Sequence, residues 1–368
     1  MIKSNFILGV FAAFSLALGT AQGSVSCEYL FKRESKSVQY EIEAENQGLV
    51  YVTDFSKGIS RDRSRKRFDD LKIPENYNVV WFSPNKNTHI QALAFDSNGK
   101  KQYFYHPAWK AIRDKIKYSK LKSFGEALPY VRRQVRKEIS FPGFTRTRAL
   151  AAITMLLDQT GIRIGDEQTA QENETYGLTT LERKHLKKYD GTYYLVFKGK
   201  GQGPSKDKTK DKQREDKIHK IPIKDERIIS YLQESLRQPG DHLFKYVDED
   251  GNMRFVVSSS VNEYLKNLSG LDISAKDFRT WIGTVTAARF LYEAENRNDE
   301  KIERKAAKEA ADKLGNTPKV ARESYIHPQI FVAFAEGKLF NKAFRDAEGD
   351  TEAAVLQILS EVGDESEK

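Results

Sequence analysis

The chain has 368 residues, 39% hydrophobic and 31% charged, which is enough for a globular protein of two domains with a packed core. Its 61 lysines and arginines outnumber 52 acidic residues, and the resulting net charge of +9 favours a polyanionic partner, nucleic acid first. The one cysteine, Cys27, excludes an internal disulfide framework and a cysteine-based zinc site. The six histidines show no spacing typical of metal ligands.

The N-terminus has the layout of a secretory signal peptide. An early lysine precedes an apolar run from Phe6 to Leu18, and small residues follow around Ala21. The run is too short to span a bilayer comfortably. We assign residues 1–27 to a signal-like segment outside the fold. The alternative is an extended start whose apolar run is incidental.

Residues 28–110 predict a small β-rich, DNA-binding domain. The stretches LVYVTDF, NVVWFSP, HIQALAFD and KQYFYHP are rich in β-branched and aromatic residues, and turn sequences such as DSNGKK lie between them. A basic cluster lies between the first two stretches and opens on a glycine. A solvated charge run is the usual meaning of such a cluster, but this one also suits phosphate contacts. Its candidate DNA-binding residues are Arg61, Arg63, Arg65, Lys66 and Arg67.

Residues 111–345 carry apolar side chains at helical spacing and predict a mainly α-helical domain. Gly161 is placed to end one of its helices, and Gly315 is placed to cap a later, charged one. A β-hairpin interrupts the helices, with apolar strands at 193–197 and 218–223 joined by a polar connection.

The predicted fold class is therefore α+β, with a small β-rich N-terminal domain followed by a mainly helical domain that contains a hairpin. The final residues, 346–368, are rich in acidic side chains and are predicted to form an acidic C-terminal tail.

Four stretches hold the candidate catalytic side chains. TGIRIGDEQTAQENETYGLTTLERKHL contains Arg163, FKGKG contains Lys200, AKDFRTWIGT contains Arg279, and LGNTPKVARESYIHP contains Asn316 and Tyr325. Each stretch alone is weak, because an arginine after a helix or a lysine on a hairpin is more often structural. Together, in this order, they resemble the motifs of the type IB DNA topoisomerases, specifically the short poxviral and bacterial branch.

The resemblance runs from about Glu41 to Phe340 and includes GISRDRSRKRF, IPENYNVVWFSP, HIQALAFDSNGKKQYFYHP and ALPYVRRQV. It implies a clamp in which the β-rich domain closes one side of duplex DNA and the helical domain, residues 111–345, is the catalytic domain and closes the other. It also implies that Gln102, Tyr103 and Tyr105 contact DNA. The alternative for the two tyrosines is that they are half-buried strand aromatics.

The resemblance further implies relaxation of supercoiled DNA through transient cleavage of one strand. Tyr325 would attack the phosphodiester to form a 3′-phosphotyrosyl link, and Arg163 and Arg279 would stabilise the charge on the non-bridging oxygens. Lys200 would protonate the departing 5′-oxygen. Asn316 would donate a neutral hydrogen bond to a phosphate oxygen. Because the covalent link stores the bond energy, neither ATP, a metal nor any other cofactor is expected.

Duplex DNA is the expected partner, the protein is expected to be a monomer, and a DNA-associated location in the cytoplasm or nucleoid is favoured. The signal-like segment leaves export open.

Two other functions stay open at this point. A tyrosine recombinase shares the Arg, Lys, Arg, Tyr set, but it normally has H-x-x-R where this chain has Lys276 in KDFR, and its N-terminal domain is helical. A catalytically silent DNA-binding protein that keeps the scaffold is the second alternative. The four intact stretches argue against silence, and the signal-like segment argues for it.

Overall fold

The computed structural model describes residues 48–52, 67, 69–97, 99–202 and 216–363. The chain divides into two compact units, Met1–Lys115 and Ile116–Lys368. The predicted α+β class is confirmed, because the first unit has a small antiparallel sheet and the second is mainly helical. Among the described residues, none of the helices combines the length and the apolar character that crossing a membrane demands. The signal-like segment lies outside these residues.

The sheet of the first unit has three antiparallel strands in the order β1 (Asn78–Phe82), β2 (Ile90–Phe95) and β3 (Lys101–Tyr105). The central strand β2 is buried along almost its whole length because apolar side chains cover both of its faces. Of the first predicted strand, Val50 forms an isolated parallel bridge with Thr88, and residues 53–55 are not described. Helix α1 (Pro107–Ser119) follows β3.

The second unit is built around two helices that are buried along most of their length, α3 (Arg146–Thr160) and α7 (Ala275–Glu293). Such all-round burial makes their ends rigid points of attachment for loops. The helices of this unit are α2 (Leu121–Glu138), α3 (Arg146–Thr160), α4 (Glu167–Asn173), α5 (Glu226–Arg237), α6 (Ser258–Ser269), α7 (Ala275–Glu293), α8 (Ile302–Leu314), α9 (Pro318–Ser324), α10 (Gln329–Glu336), α11 (Lys338–Asp346) and α12 (Thr351–Gly363).

Short strands complete the second unit. The antiparallel sheet of β4 (Leu186–Tyr189), β5 (Thr192–Gln202) and β6 (Asp216–Ile223) contains the predicted hairpin, whose two strands are longer than the sequence pattern indicated. A second pair consists of β7 (Lys245–Val247) and β8 (Met253–Phe255).

The two predicted glycine caps are confirmed. Gly161 ends α3 with φ of 64°, and Gly315 ends α8 with φ of 65°. Both values lie in the left-handed region, where a side chain would be strained, and each glycine turns the chain sharply out of its helix. The residues that follow these turns, up to Arg163 and Asn316, form part of the candidate active site.

The predicted acidic tail is a packed helix for most of its length. Ala354, Val355 and Ile358 of α12 are fully buried in the main core. Glu352 accepts hydrogen bonds from Arg132. The prediction of a tail followed the acidic composition of the last residues and overlooked the apolar periodicity of AAVLQIL. That periodicity places one face of this segment against the core. The described part of the segment therefore belongs to the helical unit.

Candidate active site

Arg279 is the point on which two helix ends converge. It lies on the buried helix α7, and only 4% of its surface is exposed. Its guanidinium donates hydrogen bonds to the carbonyl oxygen of Gly161, at the end of α3, and to that of Leu314, at the end of α8, the latter at 3.1 Å. Carbonyls at helix C-termini carry partial negative charge, so they hold the guanidinium without cancelling its full charge.

Arg163 and Asn316 face each other across this convergence. Arg163 Nη2 donates to Asn316 Oδ1 at 2.6 Å, and Arg163 Nη1 lies 3.5 Å from the carbonyl oxygen of Lys200. The Nδ2 atom of Asn316 is buried and has no hydrogen-bond partner in the part of the chain that the structure describes. A buried donor without an acceptor is costly, which indicates that a ligand accepts from it.

Tyr325 ends the short helix α9, and its backbone N–H donates to Ala321 O at 2.9 Å. The guanidinium of Arg279 lies over its ring, 4.7 Å from the centroid. The backbone is packed closely against α7: a Cβ on Gly283 would lie 2.6 Å from the Tyr325 carbonyl oxygen, so only glycine permits this approach. Tyr325 is thus fixed by its backbone as well as by its ring.

The phenol of Tyr325 is made more acidic by its neighbours. Burial alone would raise its pKa, but the charge of Arg279, a hydrogen bond from Arg279 and the charge of Arg163 outweigh burial and lower the pKa below its ordinary value. The phenolate is the form that attacks an electrophile, so this environment favours nucleophilic chemistry at Tyr325.

Lys200 lies on β5 and is exposed. It lines a cavity of about 250 Å³ together with Arg163, Arg279 and Tyr325. It also lines a wider groove that reaches Asn316. The structure therefore brings four of the predicted catalytic residues into two contacting pairs, Arg163 with Asn316 and Arg279 with Tyr325. The fifth, Lys200, lies on the wall of the cavity that both pairs reach.

The charge of this site is not compensated. Within the described ranges, neither Arg163 nor Arg279 forms an ion pair with a carboxylate. Burial and the charge of Arg279 lower the pKa of Arg163. Two guanidinium groups in contact with carbonyls, an amide and a phenol form a site suited to an oxyanion such as a phosphodiester. The same ranges contain no cluster of three or more His, Cys, Asp or Glu side chains that could hold a metal ion.

Sequence reasoning missed two polar residues of this site, Lys217 and His219 on β6. Both line the wider groove beside Arg163 and Tyr325. Burial, followed by the charges of Arg163 and Arg279, lowers the pKa of Lys217. The alternating pattern of DKIHKIPI indicates that these residues share a face, because it places Lys217, His219 and Ile221 on one side of the strand.

The candidate DNA contacts of the first unit do not share one face. Tyr103 and Tyr105 are 40% and 37% exposed, and their rings stack with centroids 6.3 Å apart. Gln102, which directly precedes Tyr103, points to the other face of β3 and donates to Asp96 Oδ2 at 2.9 Å. Arg67 donates to the carbonyl oxygen of Ser83. The other cluster members lie outside the described residues: Arg61, Arg63, Arg65 and Lys66.

Two models of known families match the chain. The catalytic core of eukaryotic DNA topoisomerase I matches residues 106–338, which is more than half of the chain and includes every candidate catalytic residue. The N-terminal domain of bacterial DNA topoisomerase IB matches residues 48–96. The chain belongs to the type IB DNA topoisomerases. It is thus a member of an isomerase family, and the family that the four motifs indicated is confirmed.

Individual relatives agree with this membership. The chain is 27% identical to DNA topoisomerase 1B of Acanthamoeba polyphaga mimivirus over 299 residues, which cover 78% of this chain and 84% of the viral protein. It is 24% identical to DNA topoisomerase 1B of vaccinia virus (strain Copenhagen) over 276 residues, 71% of this chain and 78% of the relative. The match to DNA topoisomerase 1 of Mycosarcoma maydis, 27% identical, covers 62% of this chain but 22% of the fungal protein. These relatives favour a topoisomerase over a tyrosine recombinase.

Proposed function

We propose that this protein relaxes supercoiled duplex DNA by cleaving one strand through a 3′-phosphotyrosyl intermediate at Tyr325 and then religating it. The observation that carries the proposal is the contact between the Tyr325 phenol and Arg279, whose charge no carboxylate pairs with in the described residues. Membership of the type IB family supports the same reaction and makes duplex DNA the substrate.

Tyr325 acts as the nucleophile. An ordinary tyrosine has a pKa of about 10, so roughly a thousandth of it is ionised at neutral pH. The lowered pKa of Tyr325 increases that fraction. Its phenolate oxygen attacks phosphorus, the bond from phosphorus to the 5′-oxygen breaks, and the DNA is left with a 3′-phosphotyrosyl bond and a free 5′-hydroxyl. Religation is the reverse reaction, which conserves the bond energy and needs neither ATP nor a metal.

Arg163, Arg279 and Asn316 stabilise the extra charge that develops on the non-bridging oxygens during attack. Fixed donors aimed at developing charge are among the strongest contributions to catalysis. The buried Nδ2 atom of Asn316 and Nε atom of Arg279 have no acceptor within the described part of the protein, and we assign phosphate oxygens as their acceptors.

Lys200 acts as the general acid that protonates the departing 5′-oxygen. Its position on the wall of the cavity that Arg163 and Tyr325 also line supports this role, since a general acid must lie within reach of the leaving group. Lys198, two residues earlier on the same strand, is the matched lysine that we assign no catalytic role.

We further propose that the β-rich region, residues 28–110, and the helical region, residues 111–345, both contact the duplex. The exposed pair Tyr103 and Tyr105 supports contacts from the first region, with Lys101 lying 5.4 Å from the ring of Tyr103. Cations beside exposed aromatic rings are typical of nucleic-acid surfaces. A DNA-acting enzyme also works where DNA is, so we expect the protein to be DNA-associated.

The first prediction tests the nucleophile. Tyr325→Phe removes one oxygen and keeps the ring, so duplex binding should persist while plasmid relaxation in the presence of EDTA falls below detection. Wild-type protein denatured during turnover should carry labelled DNA on the peptide that contains Tyr325. Relaxation by the variant, or a label on another tyrosine, would refute the mechanism. Mere retardation of plasmid by the wild type would indicate a silent DNA-binding protein, and exchange between specific sites would indicate a recombinase.

A further inference from the structure

One imidazole ring fills the space between two backbone segments that carry catalytic residues. His219 on β6 pairs with Phe197 on β5, and the two rings stack at 5.1 Å. A Cβ built on Gly199 would lie 2.3 Å from His219 Nε2, and a Cβ built on Gly315 would lie 2.5 Å from His219 Cε1. The ring therefore touches both glycines so closely that neither position has room for a side chain.

Each of these glycines directly precedes a residue of the proposed mechanism. Gly199 precedes Lys200, and Gly315 precedes Asn316. Gly315 has a positive φ that already favours glycine, but the backbone of Gly199 does not. The ring of His219 is therefore the physical reason for glycine at position 199.

Arg163 spans the same gap. Its guanidinium reaches Asn316 Oδ1 at 2.6 Å and the carbonyl oxygen of Lys200 at 3.5 Å. The separation between the Lys200 strand and the Asn316 turn is thus set by two groups, the ring of His219 and the guanidinium of Arg163.

The ring adds no charge to the site at neutral pH. Burial, followed by the charges of Lys217, Arg163 and Arg279, lowers the pKa of His219 to about 4. A neutral ring does not compete with the arginines for an anion, so its contribution is shape.

We propose that His219 is a positioning residue for DNA cleavage: its ring sets the distance between Lys200 and Asn316, so that the acid reaches the 5′-oxygen while Asn316 and Arg163 hold the phosphate. The inference rests on the proposed function, and His219 itself is assigned no contact with the substrate. A misplacement of about 1 Å at such a site can cost roughly a hundredfold in rate.

A substrate with a 5′-bridging sulfur tests the link to Lys200, because its thiolate leaves without protonation. On the ordinary substrate, we expect His219→Ala to slow single-turnover cleavage by about tenfold or more. The sulfur substrate should restore most of that loss, as it should for Lys200→Ala, and Lys198→Ala should cleave both substrates nearly normally. His219→Phe keeps a planar ring and should stay within a few-fold of wild type. Duplex affinity and thermal unfolding, measured for each variant, separate misplacement from misfolding.

Gly199 offers a second test that does not depend on the identity of the acid. Gly199→Ala places a methyl group where the ring lies, so it should slow cleavage of the ordinary substrate. Removing the ring makes room for that methyl group, so the double variant Gly199→Ala/His219→Ala should lose less rate than the two single losses combined.

The outcomes separate the two proposals. If the sulfur substrate does not restore cleavage by Lys200→Ala, the assignment of the acid is wrong. The role of His219 is then tested by comparing Gly199→Ala and His219→Ala with the double variant. If sulfur rescues Lys200→Ala but leaves the defect of His219→Ala unchanged, the positioning role is overturned. Wild-type cleavage by His219→Ala, or a double variant whose loss equals the two single losses combined, also overturns it.

Discussion

Two clusters, each centred on an arginine, lie on the same two helices, α3 and α7, and the arginine charge has different partners in each. In the active site, Arg279 on α7 donates to the carbonyls of Gly161 and Leu314. Two residues further along α7, Trp281 belongs to a second cluster, in which Arg132 of α2 lies between two carboxylates. That carboxylate cluster consists of Arg132, Asp158, Trp281 and Glu352.

In the carboxylate cluster the charge of the arginine is fully matched. Arg132 donates two hydrogen bonds to Asp158, at 2.8 and 2.9 Å, and two to Glu352, at 2.6 and 2.8 Å. The hydrogen bonds to Glu352 raise the pKa of Arg132. Burial would raise the pKa of Glu352, but Arg132 outweighs burial and lowers it. This cluster holds α12 on the core.

In the active site the corresponding charge is left for a ligand. The partners of Arg163 and Arg279 are carbonyl oxygens, an amide and a phenol, and burial lowers the pKa of Arg163. A buried cation without a carboxylate is unfavourable until an anion binds. The comparison teaches that partners, and not burial alone, distinguish the structural arginine Arg132 from the arginines that we propose to be catalytic.

The largest expected difference between the two clusters is in the effect of replacing Arg279 or Arg132 with alanine. Arg279→Ala should slow single-turnover DNA cleavage by about 10²–10³-fold, the usual scale for a lost oxyanion donor. Arg132→Ala should leave cleavage at low temperature within a few-fold of wild type and lower the melting temperature instead. If Arg132→Ala loses as much cleavage rate as Arg279→Ala, the division between the two clusters is wrong.

A smaller effect is expected for one carboxylate of α12. Glu352→Gln keeps the shape of the side chain and removes its charge, which should reduce the free energy of unfolding by about 2 kcal/mol. Glu361 of the same helix, whose exposed pair with Lys342 spans 3.3 Å, is the matched control, and Glu361→Gln should change stability little. Denaturant unfolding of both variants makes this measurement. Equal destabilisation would show that the carboxylate cluster has no special role.

The smallest effect is a shift in pH dependence. Arg163 helps to lower the pKa of Tyr325, so removing it should raise that pKa. The cleavage rate rises with pH as phenolate forms, so Arg163→Ala should move the midpoint of this rise to higher pH, and Arg132→Ala should not move it. The 5′-bridging sulfur substrate isolates the nucleophile, because its leaving group needs no acid. An unmoved midpoint in Arg163→Ala would count against electrostatic activation of Tyr325.

Local features of this protein were predictable from its sequence. The strands of the first sheet, the hairpin and the caps at Gly161 and Gly315 follow from alternation, helical period and the freedom of glycine at positive φ. The order of the four motifs was enough to indicate the family, because each motif is a short continuous stretch whose residue types are visible without the fold.

Contacts between distant segments needed the tertiary structure. Arg279 and Gly161 lie 118 residues apart in the chain, and nothing local in either stretch states that they touch. The local sequence likewise does not show that α12 is buried or that the ring of His219 lies between Gly199 and Gly315. A periodic pattern shows which face of an element is apolar, but it does not show which other element covers that face. Packing of the helices therefore decided which arginine pairs with carboxylates and which lies beside Tyr325 without a carboxylate partner among the described residues.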